Sequence, residues 1–330
     1  MLHIHNGDSA AETARDSTIP GEHFAWREAL IDGPTPAGTS KIKWRELRAQ
    51  HLAESYFVNY AEADRDLRNQ EEKLTAHSEH EEVVLWFEHD LFCQINLVYL
   101  LNWFAEDKSG NTKLSLICIG EFEGFPDFRG LGELNPEQMA SLFGTRHEVT
   151  DREKALAKGA WNAYCSPDPT AIQRLLQTET SALPFLKNAF QLHLERFPFA
   201  GNGLGRIQQR GLEFIKGGAR TFVDLFPRFG RAEPTYGLGD LQFWNALRRM
   251  NDVSEPLLRI NDGKASDPVL TPQNIHQITF EMTEAGDSVL KGEADFIELN
   301  GIDMWLGGVH LVGKENVWRW DGENQTLTQT

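Results

Sequence analysis

With 330 residues, 40% hydrophobic and 25% charged, the chain has room for about two domains with sizeable cores. Its formal charge of -17 disfavours non-specific nucleic-acid binding, and no stretch approaches the roughly 20 uninterrupted apolar residues of a membrane span. The polar N-terminus has no export-signal pattern, and the three scattered cysteines Cys93, Cys118 and Cys165 suggest neither a disulfide framework nor a cysteine zinc site, so the expected location is cytoplasmic, with no membrane contact.

The alternation Leu2-His3-Ile4-His5 predicts a short strand, Asn6-Gly7-Asp8-Ser9 a tight loop, and Ala10 to Arg15 a helix. His23 to Ala29 reads as a second strand that breaks at Asp32-Gly33-Pro34, and a charged helical region follows from Trp44 to Thr75. At its start, Lys41, Lys43, Arg45 and Arg48 read as one solvated helix face. The run Glu82-Val83-Val84-Leu85-Trp86-Phe87 is a buried strand, Asp90 is placed to cap a helix from Leu91 to Phe104, and Lys113 to Ile119 is a further strand. Residues 135–198 read as helical, with Asn135 as a cap and Pro136 at the first helical position. Beyond Phe199 to Gly205, helices are expected at Arg206 to Phe226 and Asp240 to Met250. A strand running into a helix is expected at His276 to Ala285, and further strands at Glu293 to Asn300 and Val309 to Trp320.

The fold class expected from this order is α/β. A three-layer parallel-sheet domain (1–133) is followed by a helical connecting region (134–200) and a small α+β, winged-helix-like domain (201–330). That last part carries 13 basic and 18 acidic residues, which favours packing against protein over a DNA groove.

Candidate chemistry gathers where strands give way to helices. His5, Asp8 and Ser9 follow the first strand, and Glu88, His89 and Asp90 end the strongest one, with Glu88 and Asp90 facing one way and His89 the other. Asp8, Glu88, His89 and Asp90 are the candidate catalytic residues. Asp8 or Glu88 would be the general base and His89 the proton carrier. His5, Ser9 and Arg27 are candidate substrate contacts, Arg27 as an anion clamp, and Asp303 and His310 could reach the same site from the C-terminal part. The same cluster could hold a hard metal ion, although its spacing matches no closed metal site; neither GxGxxG nor a P-loop is present, and the sequence leaves the cofactor open. Gly7-Asp8-Ser9 is similar to the start of the GDSL-type serine esterases, but the late Asp-x-x-His pair of that family is missing.

Several segments together resemble the bacterial domain of unknown function number 1835. They are His5-Asn-Gly-Asp-Ser9, Trp26-Arg-Glu28 with Asp32-Gly-Pro34, and Leu85-Trp-Phe-Glu-His-Asp-Leu91 with Gln94. Phe128-Arg-Gly-Leu-Gly132, Leu183-Pro184, Asn202-Gly203-Leu204, Leu299-Asn-Gly-Ile-Asp303 and Trp305-Leu-Gly-Gly-Val-His310 resemble its usual C-terminal partner region. The resemblance implies the domain order and no mechanism. From the residues, the leading expectation is an enzyme acting by hydrolysis or group transfer on a small polar or anionic ligand. The alternative is a non-enzymatic ligand-sensing regulator or adaptor whose C-terminal domain meets a protein partner.

Overall fold

The computed structural model describes residues 1–107, 112–261 and 269–329. The first alternating segment is strand β1 (Leu2–Asn6), followed by helix α1 (Asp8–Arg15), strand β2 (Glu22–Trp26) and helices α2 (Lys41–Tyr56) and α3 (Tyr60–Thr75). The single charged helical region is therefore two helices. Phe57 turns left-handed, with φ 57°, and the Asn59 side chain accepts from the N–H groups of Ala61 and Glu62 to start the second. The apolar run is β3 (Glu82–Glu88), buried throughout, and Asp90 caps α4 (Leu91–Glu106), which leads to β4 (Lys113–Ile119).

The central helical region comprises α5 (Pro136–Leu142), α6 (Asp151–Tyr164), α7 (Thr170–Leu176) and α8 (Leu186–Leu194). Capping boxes open two of these, Asn135 with Gln138 and Thr150 with Glu153. Between α5 and α6 lies β5 (His147–Glu148), which pairs antiparallel with β4. The sheet order is β2-β1-β3-β4-β5, so the sheet is mixed rather than all-parallel. Its edge strand is two exposed polar residues with no apolar alternation, and carries no strand signal. Ala10 and Ala14 of α1 and Met139 of α5 pack on Val84, Trp86 and Ile117. Val83, Leu85 and Phe87 point to the opposite face, into a cluster shared with α4.

The C-terminal α+β part contains α9 (Arg206–Lys216), α10 (Phe222–Ala232), α11 (Asp240–Asn251), β6 (Leu258–Asn261), β7 (Thr279–Met282), α12 (Glu284–Leu290), α13 (Phe296–Asn300), β8 (Ile302–Leu306), β9 (Val309–Gly313), β10 (Trp318–Asp321) and β11 (Thr326–Gln329). Its strands form three antiparallel pairs, β6-β7, β8-β9 and β10-β11. The strand expected at Glu293 to Asn300 is instead α13. Asp295 Oδ1 accepts from Ile297 N–H (2.9 Å) and Glu298 N–H (3.0 Å), a helix cap that overrides the apolar alternation. One cluster of buried apolar side chains extends from Leu2 to Leu327, so all three parts share a core.

The supposed solvated basic face of α2 is also corrected. Arg48 is fully buried, and all five of its N–H donors are placed. Nε and Nη2 bond Glu28 (3.2 and 2.7 Å), Nη1 bonds the carbonyls of Asp32 (2.6 Å) and Pro34 (3.4 Å), and Nη2 also bonds that of Ala29 (3.0 Å). Arg45 is likewise engaged, by Asp64 and Glu71. A second ion pair, Arg196 with Asp32 at 2.8 Å, ties the loop after β2 to the helical region.

Candidate active site

Strand order places the site. β1 connects to β2 on one side and β3 to β4 on the other, so the chain diverges between the carboxyl ends of β1 and β3. Open α/β sheets leave a ligand crevice at such a point. Four side chains meet there: Asn6 from the end of β1, Glu88 from the end of β3, the capping Asp90, and Cys93 in the first turn of α4. Glu88 Oε2 accepts from the Cys93 thiol at 2.5 Å, and Glu88 Oε1 accepts from Leu131 N–H at 2.8 Å. Asp90 Oδ1 accepts from Cys93 N–H at 2.8 Å, and the Asn6 amide donates to Cys93 Sγ at 2.7 Å. Asn96 then ties Asn6 (2.9 Å) to the carbonyl of Glu28 (2.9 Å), linking the site to the buried Arg48 pair.

Burial sets the electrostatics. Glu88 and Asp90 are 6% and 5% exposed. Desolvation, reinforced by the neighbouring Asp90 charge, pushes Glu88 up to about 7, against the opposing bonds from Cys93 and Leu131. Asp90 also lies above the usual aspartate range, chiefly through burial. Desolvation and the two carboxyls drive the Cys93 thiol well above its ordinary value, which excludes it as a thiolate nucleophile at neutral pH. The candidate metal-ligating atoms of Glu88, Asp90 and Cys93 lie within 4.8 Å of one another. Two carboxylate oxygens and a thiolate would suit a borderline cation such as zinc. The same burial makes the set a holder of protons while no cation is bound.

The cluster opens into a cleft of about 380 Å³. Phe226, Phe229 and Gly230 of α10 form its far wall, and Arg129 stands at the rim. The Arg129 side chain is exposed, with no hydrogen bond or ion pair among the described residues. The loop before α11 closes on Asp90 through Gly237. That residue has φ +64°, and a Cβ there would collide with the Asp90 carboxylate, so glycine is required twice over.

The other expected residues lie elsewhere. Arg27 grips Asp8 through Nε and Nη2 at 2.6–3.0 Å, so the anion clamp is filled by the chain's own carboxylate. The pair is exposed, and neither member lines the cleft. Ser9 Oγ donates to the Gly132 carbonyl at 3.3 Å, and among the described residues no histidine hydrogen-bonds to it. His5 does not line the cleft; it lies on the Trp86 face of the sheet, where its Nε2 bonds His23 Nδ1 at 3.0 Å in a stack with His3 and Trp86. Burial, first of all, drives His5 well below its ordinary value. His3 accepts from Trp86 Nε1 and donates to the Pro20 carbonyl, a pattern that needs a neutral ring. His89 turns away from Glu88 and packs edge-on against Phe185, at 6.0 Å between centroids. Asp303 and His310 bond each other at 2.8 Å on the β8-β9 hairpin, His310 stacking on Trp305, and neither lines this cleft.

Of the expected residues, the structure thus brings together Glu88 and Asp90. It adds Asn6, Cys93 and Arg129. Two of these had a readable signal. Asn6 continues the Leu2-Ile4 face of β1, and Cys93 is the residue whose N–H a capping Asp90 must receive. Arg129 comes from a loop without regular structure and had none. No family model and no curated protein matches this sequence, so the resemblance to the bacterial domain rests on its motifs alone.

Proposed function

We propose that the protein is an enzyme acting by hydrolysis or group transfer on a small polar or anionic substrate, with Glu88 as its general acid and base. The observation that carries this reading is one residue in one place. Glu88 is buried, yet it lines a cleft at the sheet's divergence point and keeps its proton up to about 7. A catalytic acid is most effective with its pKa near the working pH, and groups so perturbed inside clefts are enriched at active sites. Asp90 would hold the local charge that sustains the shift. Asn6 and Cys93 would orient the Glu88 carboxyl, and Arg129, unengaged at the rim, would draw in an anionic group.

The test is hydrolysis of p-nitrophenyl phosphate, acetate and glycosides by the wild type, Glu88→Gln and Asp90→Asn. The reading predicts turnover in one class, following an ionisation near 7 and falling about a hundredfold or more in Glu88→Gln, with circular dichroism unchanged. Turnover that survives the substitution, or none in any class, contradicts it.

A further inference from the structure

A second, larger cleft of about 640 Å³ shares no lining residue with the first. It lies between the end of α2, helix α11 and the β8-β9 hairpin. Arg249 of α11 reaches it. Among the described residues its guanidinium makes one hydrogen bond, from Nη1 to the Met304 thioether at 3.1 Å, and no ion pair within 4 Å. A thioether is a weak acceptor, and four other N–H donors remain to be satisfied. Deeper in, burial works to raise Asp32, but the guanidinium charges of Arg196 and Arg249 outweigh it and hold Asp32 below the usual range. Two cations thus act on one carboxylate; Asp32 and Arg196 line a small neighbouring cavity, and Arg249 lines both spaces.

The acids around the opening each have a hydrogen-bond partner of their own, and none of them pairs with Arg249. Asp252 takes Arg248 at 2.7 Å, Asp303 takes His310 at 2.8 Å, and Glu54 accepts from the Gln50 amide. Lys314 adds positive charge at the edge, its Nζ donating to the carbonyls of Glu298 and Leu299. Leu204, Val253, Phe296 and Ile302 supply an apolar stretch of the wall, beside the polar Ser55, Gln208, Asn245 and Asn300. A guanidinium with four unfilled N–H donors beside an apolar stretch in a cavity of this volume suits an amphiphilic anion.

We propose that this cleft binds a small organic acid, its oxyanion on Arg249 and its apolar body along Phe296 and Ile302. The site is independent of the Glu88 chemistry. The probe is anilinonaphthalene sulfonate, titrated by fluorescence against the full chain, with benzoate and its uncharged analogue benzamide as competitors. The expected result is saturable binding at one site, displaced by benzoate and not by benzamide. Arg249→Met should weaken it about tenfold or more, the loss of a charge-assisted hydrogen bond. Ile302→Trp fills the apolar wall without touching the Asp32 network and should weaken it too, which covers the case in which Arg249→Met fails to fold. Displacement by benzamide as effective as by benzoate, or wild-type binding in the folded variants, overturns the proposal.

Discussion

Replacing Glu88 by glutamine isolates the energetic signature of the cleft. In the folded chain Glu88 holds its proton up to about 7, whereas an unfolded glutamate releases it near 4.5. Below 4.5 both states are protonated and the burial carries no ionic penalty. Between 4.5 and 7 the folded chain binds the extra proton, so stability falls as pH rises. Above 7 the ionised carboxylate must sit in the buried cluster, a loss of about 3 kcal/mol relative to acid pH. Glutamine keeps the shape and an acceptor for Leu131 N–H without the titration. Urea unfolding followed by tryptophan fluorescence at pH 4 and pH 8 gives the stability difference between variant and wild type at each pH. That difference should move by about 3 kcal/mol in favour of the variant between the two. Effects of the buried histidines are common to both proteins and cancel. A difference that stays flat across the range would refute the reasoning, because Glu88 would then ionise alike in both states.

Four further outcomes follow from the same geometry. Arg48→Met strands the Glu28 carboxylate with 3% of its side chain exposed; a loss of about 3–5 kcal/mol in urea unfolding is expected, largely recovered when Glu28→Leu is added. His3, held down to about 4 mainly by burial and then by the nearby His23 charge, refuses a proton that the unfolded chain takes near 6.5. Its own contribution should therefore fall by about 3 kcal/mol as pH drops from 6.5 to 4, read as the stability difference between wild type and His3→Phe, in which the opposite Glu88 term cancels. Asp8 and Arg27 have side chains 49% and 55% exposed, so a double-mutant cycle should return a coupling below about 1 kcal/mol that salt reduces. Gly237→Ala meets both a positive φ and the Asp90 carboxylate and should cost about 2 kcal/mol or more. Gly38→Ala, with φ +71° but open space around it, should cost only the backbone strain, about 1 kcal/mol.

The α/β alternation was legible because its central strands are buried on both faces and read as apolar runs, as in Val83 to Phe87. Two of its helix starts were readable from the caps Asp90 and Asn135. Glu88 and Asp90 were legible as a pair from the same two signals, a strand end and a cap. What long-range contact decides was hidden. The solvated look of Arg48 depends on Glu28, twenty residues away, and the two-residue β5 exists only because β4 offers a free edge. Arg27 looked available because nothing local shows that Asp8 fills it. His5 was hidden in the same way, since alternation puts it on the face of Trp86 and Glu88 and only the distant His23 shows that its ring is engaged.

The central claim concerns one proton, and infrared difference spectroscopy reads it directly. Spectra of the wild type minus Glu88→Gln, collected from pH 4 to pH 9, isolate the Glu88 carboxyl stretch from every other acid. The account predicts a protonated band that persists to neutrality and titrates away with a midpoint near the value of about 7 set by burial and Asp90. A band that disappears in the ordinary glutamate range, near 4.5, would show an ionised Glu88 at neutral pH and contradict its role as the acid of this cleft.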